Sequence, residues 1–282
     1  MSNMLKTTLL LGLLTGLILW FGQFIGGSRG LTVALVVTVV MNFGSYWFSD
    51  KMVLAAYGAR PVEMNEAPDL YRVVQNLATR AGMPMPKLYI IPTDAANAFA
   101  TGRNPEHAAV AVTEGILRLM SWDELEGVLA HELSHVMNRD ILISSIAASL
   151  AGIIMFGARM LQFTAMFGGF SRDERDDRGG ILGLLAAVIL APIAASLIQL
   201  AISRSREFQA DASGAGLLHS GEKLASALQK LEYAAERVPL DASPQTAHLF
   251  IVNPLRGRSL AGLFSTHPPL EERIRRLREM HF

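Results

Sequence analysis

Two long apolar runs open the chain, and each is close to the length of a membrane-spanning helix. Residues 7–24 form a nearly unbroken apolar run behind Lys6, and residues 31–48 form a second one. A helix of about 20 apolar residues crosses a bilayer. The Gly-Gly-Ser-Arg-Gly segment at 26–30 suits a tight link, so residues 1–50 are predicted to form a transmembrane hairpin. A cleaved signal peptide is the alternative for the first run, although that run is long for one.

Two further apolar runs, at residues 142–158 and 181–202, predict a second transmembrane hairpin over 142–202. Pro192 and Gln199 lie inside the last run, and a membrane helix tolerates proline where its neighbours satisfy the backbone. Buried core helices of a soluble domain are the alternative, but both runs are long and lack an amphipathic stripe. The chain is therefore expected to have four transmembrane helices.

The polar blocks that remain, 51–141 and 203–282, are predicted to form the two parts of one domain. Helical and alternating patterns both occur in them, which indicates an α+β fold that is mainly helical with a small β-sheet. Ser121 and Glu124 form a capping box at the start of one helix. The patterns predict helices at 67–81, from 121 onward, at 222–237 and at 268–280, and strands at 87–91, 98–101 and 108–113.

Composition supports a membrane protein and restricts the chemistry. Charged residues make up 18% of the 282 residues, whereas soluble domains carry about 25%, and the mean hydropathy is +0.31. The formal net charge is zero, so nothing suggests a nucleic-acid partner. The chain has no cysteine, so any metal must be held by His, Asp or Glu.

The distribution of basic residues predicts the orientation in the membrane. Four spans put both termini and the polar domain on one side, and leave Arg29 and the mixed-charge loop 171–179 on the other. The positive-inside rule then favours the cytoplasmic side of the cell (inner) membrane for the termini and the polar domain. The basic residues on that side are Lys6, Lys51, Arg60, Arg139, Arg204 and Arg206.

The segment His-Glu-Leu-Ser-His at 131–135 carries the chemistry. His131 and His135 are four residues apart, so on a helix both imidazoles share one face and can bind one zinc ion. Glu132 is placed to accept a proton from a water molecule on the metal. H-E-x-x-H also occurs in helices that bind nothing, but the flanking residues here are uncharged and favour burial, where such polar groups need partners.

A third ligand is expected because a catalytic zinc ion keeps three protein ligands and one open position. The metzincin pattern is excluded because positions 138 and 141 are Asn138 and Ile141. Glu207 is the candidate, and Asp211, four residues later on the same face, could accept the second N–H of a liganding histidine. The alternative is that Glu207 forms a surface ion pair with Arg204 or Arg206.

At these residues the chain resembles the HtpX family of membrane zinc proteases, which are related to the CAAX prenyl proteases. The resemblance covers both predicted hairpins, the His-Glu-Leu-Ser-His segment, and Glu207 with Asp211. It implies a gluzincin-type protease domain with one zinc ion and a catalytic Glu132. It also implies a role in quality control, in which misfolded or damaged membrane proteins are degraded.

Two weaker segments also fit the family. Asn97, Ala98 and Phe99 resemble the edge strand that binds substrate backbone in gluzincins, by β-augmentation. An ordinary buried strand is the alternative. His267, followed by two prolines, resembles a His-Pro element and could donate to the oxyanion of the tetrahedral intermediate. A histidine at the start of a helix is the alternative.

The sequence thus predicts a membrane-bound zinc metalloendopeptidase that acts on protein substrates. Prenyl-protein processing is a second possibility, but relatives with that activity enclose a chamber made of more spans. A membrane scaffold with a vestigial zinc site is a third, although a structural zinc ion has no use for the base Glu132.

Overall fold

A computed structural model describes residues 3–147, 150, 204–237, 251 and 268–282. The predicted second hairpin at 142–202 falls largely outside these residues, and so does His267. Only the beginning of this hairpin is described, and residues 141–147 there are helical. The helices are α1 (Asn3–Ala56), α2 (Pro68–Arg80), α3 (Glu114–Leu119), α4 (Trp122–Met137), α5 (Arg204–Leu218), α6 (Glu222–Arg237) and α7 (Leu270–Arg278).

Helix α1 contains a sharp reversal at Gly27. This glycine has φ 55° and ψ −140°, a conformation that side chains with a Cβ disfavour. The Asn42 Nδ2 donates a hydrogen bond of 2.9 Å to the Thr15 Oγ1, whereas a straight helix would hold these residues about 40 Å apart. The chain therefore folds back as a helical hairpin, but the predicted five-residue link is replaced by a single non-helical residue.

One segment of α1 meets the requirements for a membrane span within the described residues. Gly27–Gly44 is long and apolar enough to cross a bilayer, and its apolar side chains face outward, with Val40 65% exposed. Outward-facing aliphatic side chains suit lipid as the surrounding medium. The prediction of four transmembrane helices is thus supported for one span only.

A small mixed sheet lies beside this hairpin. It consists of β1 (Arg60–Pro61), β2 (Lys87–Ile91), β3 (Ala98–Gly102) and β4 (Ala108–Thr113), in the order β1-β2-β4-β3. Strands β2 and β4 are parallel, and both other pairs are antiparallel. The predicted bounds of β2 and β4 are correct, and β3 is one residue longer than predicted. Strand β3 is last in the order and therefore forms one edge of the sheet.

Helix α4 is at the centre of the domain. It contacts β3, α2, α5 and α6, and Val128, Leu129 and Leu133 on it are fully buried. A helix that is apolar on nearly all sides needs such neighbours. Its start is fixed by the predicted capping box, in which the Ser121 and Glu124 side chains each bind the other residue's backbone N–H. The fold therefore holds the His-Glu-Leu-Ser-His segment in a rigid, buried position.

Candidate metal centre

Two helices bring three potential ligands together. The Nε2 atoms of His131 and His135 on α4 lie 3.2 Å apart. Glu207 on α5 places Oε2 3.7 Å from the His131 Nε2 and Oε1 3.7 Å from the His135 Nε2. These ligand atoms all lie within 4.8 Å of one another, so the group could hold a metal ion.

The spacing of these atoms suits zinc. Ligand atoms at about 2.0–2.1 Å from a tetrahedral zinc ion are separated by about 3.4 Å, and the observed separations are 3.2 and 3.7 Å. Two imidazole nitrogens and a carboxylate are also the ligand set of several catalytic zinc sites. Glu207 is only 8% exposed, so it lies inside the domain and not at the surface as the ion-pair alternative requires.

Gly214 explains how α5 comes so close to α4. A Cβ added at this position would lie 2.9 Å from the His131 backbone nitrogen and 3.0 Å from the Ala130 carbonyl carbon. Only glycine therefore permits this approach without a shift of the helices. Glu207, Asp211 and Gly214 follow at helical spacing, so the contact at Gly214 directs both carboxylates toward the histidines.

Asp211 holds the ring of His131. Its Oδ1 lies 2.9 Å from the His131 Nδ1, which leaves the Nε2 directed at the metal position. Arg273 on α7 in turn binds Asp211, with its Nη2 2.7 Å from Oδ1 and its Nε 2.9 Å from Oδ2. Arg273 is fully buried, and its Nη1 also donates to the Ile251 carbonyl oxygen at 3.3 Å.

Asp140 has the same relation to His135. Its carboxylate oxygens lie 3.1 and 3.2 Å from the His135 Nδ1. The turn that ends α4, with Arg139 at φ 55°, brings Asp140 back toward the helix. The sequence reasoning missed both Asp140 and Arg273. A signal for Arg273 existed, because it lies on the apolar stripe of α7 formed by Leu270, Ile274 and Leu277.

Glu132 lies between the histidines and the edge strand. Its Oε2 accepts a hydrogen bond of 3.0 Å from the Ala100 backbone N–H on β3. Burial raises the pKa of the Glu132 carboxyl to about 7, and the charge of Glu207 adds to this effect. A carboxyl with a pKa near neutrality can both accept and release a proton.

The surroundings shift the pKa values of the two histidines in opposite directions. Burial lowers the pKa of His131 despite the Asp211 carboxylate. Burial also lowers the pKa of His135, but its hydrogen bond to Asp140 and the nearby acidic groups outweigh burial and raise it to about 9. For Asp211, burial is outweighed by Arg273, which brings the pKa to about 2. A ligating imidazole must be neutral, so a metal ion bound here would have to displace the proton of His135.

The three residues expected to bind substrate lie at the start of β3. No strand pairs with the outer edge of β3 in the described part of the chain. Asn97 is buried, and its backbone N–H donates to the Thr113 Oγ1 at 2.9 Å, so it is committed to β4. Phe99 is buried against Tyr57 at the end of α1. A peptide could use only the outward backbone groups of Ala98–Gly102, and two of these, the N–H groups of Ala100 and Gly102, already contact Glu132 and the Ser145 Oγ.

Comparisons with known proteins show the family of this chain. The model of peptidase family M48 matches residues 64–281. A protein named Protease HtpX homolog from Syntrophobacter fumaroxidans is 61% identical over 99% of this chain and 100% of its own. One of the same name from Pyrococcus furiosus is 55% identical over 98% of this chain and 95% of its own.

A solved structure supports the fold. The crystal structure of S. mikatae Ste24p superposes with a TM-score of 0.53 at 21% identity. The match covers 98% of this chain and 65% of that one, so the present chain spans about two thirds of the length of Ste24p. With its buried His-His-Glu group and these matches, the chain belongs to peptidase family M48, among the metalloproteases named HtpX homologues.

Proposed function

We propose that this protein is a zinc-dependent, membrane-bound endopeptidase with one zinc ion per chain. The observation that carries the proposal is the position of Glu132, a base without a role in metal binding, between the His131, His135 and Glu207 group and the edge strand β3. A purely structural zinc site needs no such base. The bound metal supplies Lewis-acid chemistry, which polarises the scissile carbonyl and makes water more acidic.

Glu132 moves the proton in this proposal. It accepts a proton from the attacking water and passes it to the leaving amine, while the C–N bond of the peptide breaks. The elevated pKa of about 7 suits both steps. Asp211 and Asp140 keep the histidine rings oriented through their Nδ1 atoms. In this proposal His267 donates to the oxyanion of the tetrahedral intermediate.

The substrate is a protein segment in an extended conformation. A peptide that pairs with the outer edge of β3 passes next to Glu132, because it replaces the carboxylate that contacts the Ala100 N–H on that edge. Pairing with a strand requires an extended backbone, which an unfolded chain offers more readily than a folded protein. Unfolded proteins are therefore better substrates than folded ones. We therefore propose misfolded or damaged membrane proteins as substrates. Residues 51–141, between hairpins 1–50 and 142–202, and residues 203–282, after the second hairpin, together form the protease domain on the cytoplasmic side of the inner membrane.

Removal of the base separates catalysis from metal binding. We expect Glu132→Gln to lower casein hydrolysis by about 10³-fold, as for loss of a general base, while the detergent-purified protein keeps its zinc. Glu207→Gln should instead lose zinc and activity together. Glu114→Gln, at a half-buried carboxylate on α3 outside the site, is the control and should behave as wild type.

The proposal requires that a chelator abolish wild-type cleavage and that added zinc restore it. Undiminished hydrolysis by Glu132→Gln would overturn the assignment of the base. Full zinc retention by Glu207→Gln would remove that residue from the ligand set.

A further inference from the structure

A second concave site lies at the junction of α1 and the sheet, away from the metal centre. It is a cleft of about 630 Å³. Its walls are the end of α1, with Phe43, Trp47 and Lys51, the beginning of β2 with Lys87, and the turn after β3 with Arg103. None of these residues has a part in the proposed catalysis.

The cleft combines unpaired cations with aromatic rings. Within the described residues, no salt bridge joins Lys51, Lys87 or Arg103 to a carboxylate, whereas Arg72 and Arg118 each pair with an aspartate. The Arg103 guanidinium carbon lies 4.4 Å from the centre of the Trp47 ring, which orients its planar fork. Asp50 and Glu106 also line the cleft, so three cations face two carboxylates.

The cleft is continuous with the membrane-spanning segment. The span Gly27–Gly44 ends one helical turn before Trp47, and Trp47 is 42% exposed. Tryptophan at this position is typical of the boundary between acyl chains and headgroups. The cations therefore lie at the depth of lipid phosphates, and Phe43 lies on the side of the acyl chains.

We propose that this cleft binds the phosphate headgroup of an anionic phospholipid. The Arg103 fork matches phosphate oxygens, and Lys51 and Lys87 add positive charge around the same space. The exposed Phe43 ring offers apolar contact to the upper acyl chains of the same molecule. An acidic peptide shares the charge but would leave this apolar wall unused.

A bound lipid would act on the protease through β3. Arg103 directly follows that strand, whose Ala100 N–H contacts Glu132. A headgroup held by Arg103 therefore fixes the height of the edge strand, and of the substrate on it, above the bilayer.

Lipid binding can be measured by native mass spectrometry on the full-length protein released from detergent. The probes are dioleoyl-phosphatidylglycerol and dioleoyl-phosphatidylcholine. We expect wild type to retain the anionic lipid preferentially, and Lys51→Gln/Lys87→Gln/Arg103→Gln to lose that preference, at about fivefold per charge removed. The matched control Arg72→Gln/Arg80→Gln/Arg118→Gln removes three exposed charges outside the cleft and should retain the lipid.

Further competition measurements distinguish a lipid headgroup from free phosphate and from an acidic peptide. Inorganic phosphate should not displace the lipid, because it lacks the apolar contacts; displacement would overturn the proposal in favour of a free anion. Capture of an acidic peptide in place of the lipid, or equal lipid loss in the triple variant and its control, would also overturn it. Should the triple variant not fold, Arg103→Lys keeps the charge without the fork and should reduce lipid retention, and unchanged retention by this variant would contradict the role of the fork.

Discussion

At the scale of single residues, each imidazole of the metal centre is held through its Nδ1 by a carboxylate of its own. Asp211 holds His131 from α5, and Asp140 holds His135 from the turn that ends α4. Both carboxylates are buried, so rotation of either ring would move its Nδ1 away from a buried negative charge. The metal ligands are thereby oriented before any ion arrives.

Removal of one of these carboxylates should weaken the metal site without abolishing the fold. We expect Asp140→Asn to lower zinc affinity 10- to 100-fold, the range for lost partners of ligating histidines. Competition with a chromophoric chelator measures the change. Asp94→Asn, an exposed acid that pairs with Arg118, should leave affinity unaltered. Equal affinities for wild type and Asp140→Asn would show that the His135 ring is held by other contacts.

The sequence predicts those residues of the site that share a helix, and misses those that meet through tertiary structure. His131, Glu132 and His135 lie in one segment, and Glu207 and Asp211 in another, so spacing alone groups them. Arg273 lies on the apolar stripe of α7, which indicates burial, but only the packing of α7 against α5 shows that its partner is Asp211. Asp140 depends on the backbone turn at Arg139, for which the sequence has no marker.

At the scale of elements, the contact between α4 and α5 decides the geometry of the site. The absence of a side chain at Gly214 allows the helices to touch backbone to backbone beside His131. Two turns earlier on α5, the same face carries Glu207. The separation of the two helices therefore sets the distance between the histidines and the third ligand.

A methyl group at this contact should disturb the metal site. We expect Gly214→Ala to push α5 away from α4, to destabilise the fold by about 1–3 kcal/mol as overpacking does, and to weaken zinc binding. Gly216→Ala on the same helix is the control, because its Cβ would meet nothing within 4 Å and alanine favours helix by about 1 kcal/mol. Thermal unfolding and zinc content compare them, and parallel behaviour of the two variants would contradict the role of Gly214.

Elements with a strong local pattern were predicted and short ones were not. The bounds of β2, β4 and α6 agree with the structure because apolar periodicity marks them. Strand β1 has two residues and exists only through its pairing with β2. Helix α3 is a short helix, capped by the Thr113 side chain, in a stretch that also continues β4. Their existence depends on neighbours distant in sequence.

At the scale of the whole molecule, the protease domain is assembled from two separated stretches of chain. Residues from β3 and α4 on one stretch meet α5 and α7 on the other around the metal centre. The hairpin that the sequence predicts at 142–202 accounts for this encounter, because it would return the chain to the side of the membrane from which it left. The number of spans and their direction are the parts of this arrangement open to direct measurement.

The absence of cysteine makes the topology simple to map. We expect a cysteine at Ser28 or Ser171 to react in intact cells with a membrane-impermeant maleimide, because four spans place both loops outside the cytoplasm. A cysteine at Glu66 should react only after the cells are lysed. Labelling of Glu66→Cys in intact cells would show that the orientation is the opposite of the one proposed. Protection of Ser171→Cys alone would show that residues 142–202 do not form a second transmembrane hairpin.

Arg273 is the last residue of the site to be synthesised, so the site is completed only near the end of translation. Because a ribosome makes the chain from its N-terminus, both histidines exist long before α7 does. Until α7 is complete, Asp211 lacks the guanidinium that fixes it, and His131 lacks a settled orientation. We therefore expect a nascent chain to be inert while it is inserted beside other newly made proteins. Casein cleavage at the wild-type rate by a chain stopped at Pro268 would refute this form of latency.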